Sequence, residues 1–295
     1  MSLSKDKVNP PLELAIGLVL MAGVPVFIKF TNANIYTIGL FRVLVASFFM
    51  ALLFRPFRKT VGITKKMLLP LLIIGLVFGI HWITYFLSIK TATASIGLMG
   101  MSTFGINLIF LGWVLNKTKP SIYDLLAVAI AFSGSYMVVP NLSFSNDNFI
   151  GFLIGGFSGM CFALLPILHQ KYQHIHNNLR AFGQFAFAIP VFLFFIPKTN
   201  WELEMTDWLS LIYLAIPGTL LTHWLWIRVT TTISTTTTSV VFYLVLPFTM
   251  AISFFWLGES MPLQKIAGAG LIILGNICSF YGRYKKKKEN KLSEK

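Results

Sequence analysis

The chain has 295 residues, 56% of them hydrophobic and 12% charged, with a net charge of +14 and a mean hydropathy of +0.74. A soluble domain keeps roughly 25% of its residues charged, so a soluble fold is excluded on composition. The charges cluster between apolar runs of about 17 to 24 residues, the length that crosses a bilayer as a helix. The basic residues lie at the ends of those runs and form no single basic face, which reads as membrane topology and not as a nucleic-acid footprint. Cys161 and Cys278 both fall inside apolar runs and read as small packing residues with no bearing on disulfides.

In chain order, the first run, Leu12 to Phe30, follows a basic start but is too long for a signal-peptide core and lacks a small-residue cleavage site, so it is expected to stay as a helix. Further helices are predicted near 35–54, 67–89, 92–115, 122–139, 149–169, 181–197, 208–228, 233–256 and 263–282, from apolar length and Asn, Pro and Gly punctuation. The expected fold class is all-α integral membrane, with ten transmembrane helices. With this segmentation 19 of the 24 Lys and Arg residues fall in segments on one side and three on the other. Both termini are therefore expected in the cytoplasm, with residues 283–295 as a basic cytoplasmic tail.

The two halves match at a nearly constant shift of 141 to 143 residues. Pro25 aligns with Pro166, His81-Trp82 with His223-Trp224, Trp113 with Trp256, Pro120 with Pro262 and Gly134 with Gly275. Each half, 1–140 and 149–282, holds five predicted helices. Because five is odd, the second half starts on the opposite side of the membrane, and the repeats are inverted. Inverted repeats place a pseudo-two-fold axis in the membrane plane, an arrangement suited to alternating access.

These features resemble the EamA-type members of the drug/metabolite transporter superfamily, over essentially the whole chain and once per half. The resemblance rests on Lys29 with Leu40-Phe41-Arg42-Val43-Leu44 in the first half, and on Pro247, Trp256-Leu257-Gly258-Glu259 and Pro262 in the second. The run Gly268-Ala269-Gly270-Leu271-Ile272-Ile273-Leu274-Gly275 extends it. The first half carries Asn116-Lys117 where the family's turn has Gly-Glu, so no function is assigned to that turn. The resemblance implies a ten-helix carrier in a bacterial inner membrane. Its central cavity would be lined by helices one, three and four with their counterparts six, eight and nine, and it would export amino acids or similar amphipathic compounds.

Ionisable groups inside a bilayer are costly unless they face protein or water, so each is a candidate site residue. Arg42 reads either as an attractor for a carboxylate or as a structural lock, and Gln184 is its counterpart in the second half. Lys29, at a helix end, reads as an interfacial anchor. Glu13 and Asp124 lie at helix starts, where carboxylates suit the helix dipole. His81, Trp82 and Tyr85 share one face of helix three, and the repeated His223-Trp224 extends that polar-aromatic pattern to helix eight. Asn107 and Tyr243 are further candidates for the cavity, and the Thr/Ser run from Thr230 to Ser239 reads mainly as capping for helix nine.

No phosphate-cradling Gly-Lys-Ser/Thr loop is present, so no cofactor is expected and ATP does not drive the chain directly. His169, His174 and His176 lack a Cys or carboxylate neighbour in sequence, which makes a metal site unexpected. No acid/base grouping supports an enzyme acting on lipid. Sugar-phosphate or nucleotide-sugar exchange would need more cations than Arg42 and Lys29 supply. All ten acidic residues fall in loops, tails or helix ends, so coupling to protons through a mid-membrane carboxylate is not expected. The expected partners are a small-molecule substrate and the lipid bilayer, without nucleic acid, and the chain is expected to be a monomer.

Overall fold

The computed structural model describes residues 10–53, 64–116, 122–138, 143–232, 242 and 245–293, which are helical with short connections and contain no strand. Several predicted runs are single helices: α3 (Ile35–Leu53), α4 (Lys65–Thr91), α7 (Ile122–Val138), α8 (Asp147–Lys171) and α14 (Leu263–Ser293). Others are divided. The first run breaks into α1 (Pro10–Ala22) and α2 (Val24–Phe30), the fourth into α5 (Ala94–Met101) and α6 (Phe104–Asn116), and the seventh into α9 (Asn177–Ala186) and α10 (Ile189–Leu193). The eighth is α11 (Met205–Ala215), a π-helical turn (Ile216–Leu221) and α12 (Thr222–Thr232), and the ninth is described as α13 (Val245–Leu257). Five stretches, 35–52, 65–91, 147–171, 205–229 and 263–282, are long and apolar enough to cross a membrane.

The breaks follow from backbone chemistry. Pro25 has no N–H to donate back to the first turn, so the helix ends before it and restarts with Pro in its opening turn. The carbonyls freed at this break are taken up by the second half of the chain: Tyr213 donates to Leu20 at 3.0 Å and Thr249 to Ala22 at 2.7 Å. At the α5–α6 break, Ser102 and Thr103 turn their hydroxyls back onto the Leu98 and Gly100 carbonyls, each at 2.8 Å. Pro217 lies in the π turn, where Thr219 donates to Leu214 and Thr222 to Pro217, each at 2.6 Å.

Contacts between the halves come in exchanged pairs: α4 packs on α8 as α1 packs on α12, and α4 on α9 as α3 on α11. Two related halves joined about a two-fold axis give this pattern. The α5–α8 crossing is close because it is lined with glycine. A Cβ on Gly155 would stand 2.7 Å from the Gly97 carbonyl oxygen, and one on Gly159 2.6 Å from that of Met101. The helices α7 and α14 pack chiefly on each other, Gly134 against the Gly268 carbonyl and Gly275 against that of Ala127, and reach the remaining helices mainly through α6.

Candidate functional site

A small internal cavity of about 30 Å³ lies between the halves. From the first half it is lined by Arg42 on α3, by His81, Trp82 and Tyr85 on α4, and by apolar residues of α1, α2 and α5. From the second half come Phe162 on α8, Gly218 in the π turn, His223 on α12, Phe242 and Val245. A water needs roughly 10–15 Å³ of such volume, so this cavity has room for about two or three waters and is too small for an organic molecule.

His81 and Arg42 are fixed by hydrogen bonds across the interface between the halves. Ser158 on α8 donates to the His81 carbonyl at 2.9 Å, and His81 Nδ1 lies 2.8 Å from Ser158 Oγ. With the Ser158 proton so used, His81 Nδ1 carries the ring proton and Nε2 is left as an acceptor. Tyr85 stacks parallel to His81, ring centres 5.8 Å apart, and His223 meets Trp82 edge-on at 5.7 Å. Arg42 is buried, 1% exposed. Its Nε donates to Thr219 at 2.8 Å and its Nη2 to the Gly218 carbonyl at 3.2 Å, both in the π turn, while its guanidinium lies 4.1 Å from the centre of the Trp82 ring. Its Nη1 has no hydrogen-bond partner among the described residues.

Polar contacts join the two halves on either side of the cavity. At one end Asp207 accepts from Thr31 Oγ1 at 3.0 Å and from the Asn32 backbone at 2.8 Å, while Asn34, Thr37 and Asn200 bind one another. Lys29 donates to the Lys90 and Ala92 carbonyls at the end of α4, and Lys90 donates to the Thr31 carbonyl beyond α2. Lys29 therefore caps a neighbouring helix and is more than the interfacial anchor its sequence position implies. At the other end Arg228 on α12 pairs with Glu13 on α1 at 3.4 Å, so Glu13 does more than complement a helix dipole.

In comparison with known proteins, the model of the EamA-like transporter family fits residues 12–139 and again 149–281. The chain belongs to the EamA-like transporter family. No curated protein matches it. Twenty-eight chains of solved structures do. One of these, described as the crystal structure of a protein, is 11% identical with a TM-score of 0.64, over 92% of this chain and 96% of that one, and it shows the shared fold alone. The EamA-like family is one of membrane transporters of small molecules, and the apolar helices agree with a multi-pass membrane protein.

The EamA-like Trp-Leu-Gly-Glu motif has a local explanation. Gly258 follows the last residue of α13 with φ of 63°, a left-handed conformation that favours glycine. The turn brings Glu259 to the start of α5, where it accepts from Ser95 Oγ at 2.6 Å and pairs with Lys265 at 3.2 Å. Burial pushes the Glu259 carboxyl up, but the Ser95 and Thr93 side chains and Lys265 outweigh it and hold it below the usual Glu value.

The other residues singled out in sequence are placed elsewhere. Trp224 is not a cavity wall; its ring nitrogen donates to Asn178 at 3.0 Å and its face lies by Arg228. Asn107 spans α6 and α8, donating to Thr103 Oγ1 and the Gly156 carbonyl at 3.2 Å each. Gln184 Oε1 accepts from His169 Nε2 at 2.8 Å. His176 caps the start of α9, and His174 approaches the Tyr172 ring. Tyr243 and most of the Thr230–Ser239 run lie outside the described residues. Ser158 and Thr219, which orient His81 and Arg42, carry no sequence signal that marks them, since single hydroxyls inside apolar helices are common.

Proposed function

We propose that this chain is a secondary carrier that moves small metabolites by alternating access, exporting amino acids or similar amphipathic compounds across a bacterial inner membrane. In this reading residues 1–140 and 149–282 form two inverted five-helix repeats, ten spans in all, in a monomer with both termini in the cytoplasm. The observation that carries it is the small cavity between the halves, walled by Arg42, His81, Trp82 and Tyr85 from one and His223 from the other. A site shared by two related halves, with polar contacts joining them on either side of it, suits an alternating-access cycle. No carboxylate of the described residues lines the cavity, which supports a cycle not coupled to protons through a carboxylate there and leaves His81 and His223 as the groups able to bind a proton. Purified protein in liposomes loaded with radiolabelled amino acids should release them with saturable kinetics, and release should persist when a pH gradient is collapsed. Absence of saturable flux across a broad metabolite panel would remove the carrier reading. A carboxy-terminal alkaline phosphatase fusion should be inactive, and an active one would reverse the topology.

A further inference from the structure

Arg42 is a buried cation with an unused donor. Nε and Nη2 are spent on the π turn and the face is covered by Trp82, yet Nη1 finds no partner among the described residues although Arg42 lines the cavity. A buried charged donor left unpaired bears the full loss of its hydration. The acidic groups nearest the ends of the bundle are committed elsewhere: Asp207 to Thr31 and Asn32, Glu259 to Ser95 and Lys265, and Glu13 to Arg228. The cavity thus presents a positive group without a fixed counter-charge. One free guanidinium nitrogen suits a monoanion such as a carboxylate; a phosphate dianion calls for further cations that the walls lack.

For a positive end of the cargo the walls offer aromatic faces and the His81 Nε2 acceptor, but no counter-charge. An ammonium would be repelled by Arg42 in the same small cavity, and no carboxylate of the described residues lines it. The remaining walls are apolar or aromatic, including Trp82 and Phe162. We infer that the preferred cargo is a carboxylate joined to an apolar ring or branched body and bearing no ammonium group, with its anionic end on Arg42 Nη1. This inference rests on the carrier reading and, among its amphipathic compounds, places organic monoanions ahead of the amino acids.

Three compounds with the same ring separate the charges: 3-phenylpropanoate has the carboxylate alone, phenylalanine has both groups, and phenethylamine has the ammonium alone. Thermal-shift titrations of the full chain in detergent should give 3-phenylpropanoate the tightest binding. Phenylalanine should bind about tenfold more weakly, the scale of one lost charge balance, and phenethylamine should give no shift. Arg42→Gln, if folded, should abolish the preference for 3-phenylpropanoate. Where that variant fails to fold, the wild-type ranking decides. Binding of phenylalanine as tight as that of 3-phenylpropanoate, any stabilisation by phenethylamine, no stabilisation by 3-phenylpropanoate, or an unchanged ranking in folded Arg42→Gln would overturn the inference. Saturable liposome flux of amino acids alongside a failed ranking would leave the carrier reading intact; the expected ranking without flux of any compound would remove the carrier reading instead.

Discussion

Trp82 and Trp224 are repeat counterparts, each with an arginine at its face, but only Trp82 lines the cavity. Trp82 is 2% exposed and carries Arg42 on its face, whereas Trp224 faces Asn178 and Arg228. Trp82→Phe keeps an aromatic wall but weakens a cation–π contact of about 0.5–2 kcal/mol. Transport per folded molecule should fall severalfold, while Trp224→Phe should leave cargo affinity unchanged. Equal losses in a flux assay normalised to folded protein would deny Trp82 its special place. Glu259 gives a pH prediction. Its folded pKa lies below the unfolded value, so its ionised form stabilises the protein above the unfolded carboxylate range, and that contribution is lost as pH falls through the folded value. Glu259→Gln should lower the melting temperature at neutral pH, on the scale of one charge-assisted hydrogen bond, about 1.5–3 kcal/mol. Acidification should then cost the variant less than the wild type; parallel melting curves across pH would show that the carboxylate's charge plays no part.

At the scale of elements, the repeat made His81, Trp82 and His223 legible, because a polar-aromatic pair recurring at one shift stands out against apolar sequence. The direction of the second pair was not legible. His81 and Trp82 lie within uninterrupted α4, but His223 and Trp224 follow a π turn that holds more residues per turn than an α-helix, so the face they present is rotated. Periodicity counted at 3.6 residues per turn carries no notice of that change. The divided helices were hidden for a similar reason: apolar length continues across Gly23 and Ser102, while the breaks depend on hydrogen bonds supplied by Tyr213, Thr249 and the local hydroxyls. The glycines of α8 were visible as residues, but their purpose is the backbone approach to α5. Gly155→Leu should force α5 and α8 apart and abolish recovery of folded protein in detergent, as judged by a monodisperse elution peak. Normal recovery would mean that the crossing can widen without loss.

For the whole molecule, the hydrophobic pattern and the duplication were enough to give an all-helical membrane fold, and the resemblance carried by motifs such as Trp256-Leu257-Gly258-Glu259 gave its family. They could not give the arrangement in which the helices meet, since the contacts at the Asp207 end depend on side chains from loops distant in sequence. The pairing of α7 with α14 divides the bundle mechanically. These two helices hold each other through glycine-lined backbone contact and meet the others mainly through α6, whereas the walls of the cavity come from other helices. A Cβ on Gly275 would stand 3.2 Å from that of Ala131, close enough for a bridge after a small adjustment. An Ala131→Cys, Gly275→Cys disulfide should therefore leave flux within about twofold of the reduced protein, measured before and after reductant; arrest of flux would show that the pair must slide. In the alternating-access cycle proposed above, the α7–α14 pair would serve as a stator, a fixed post beside which the cavity helices turn.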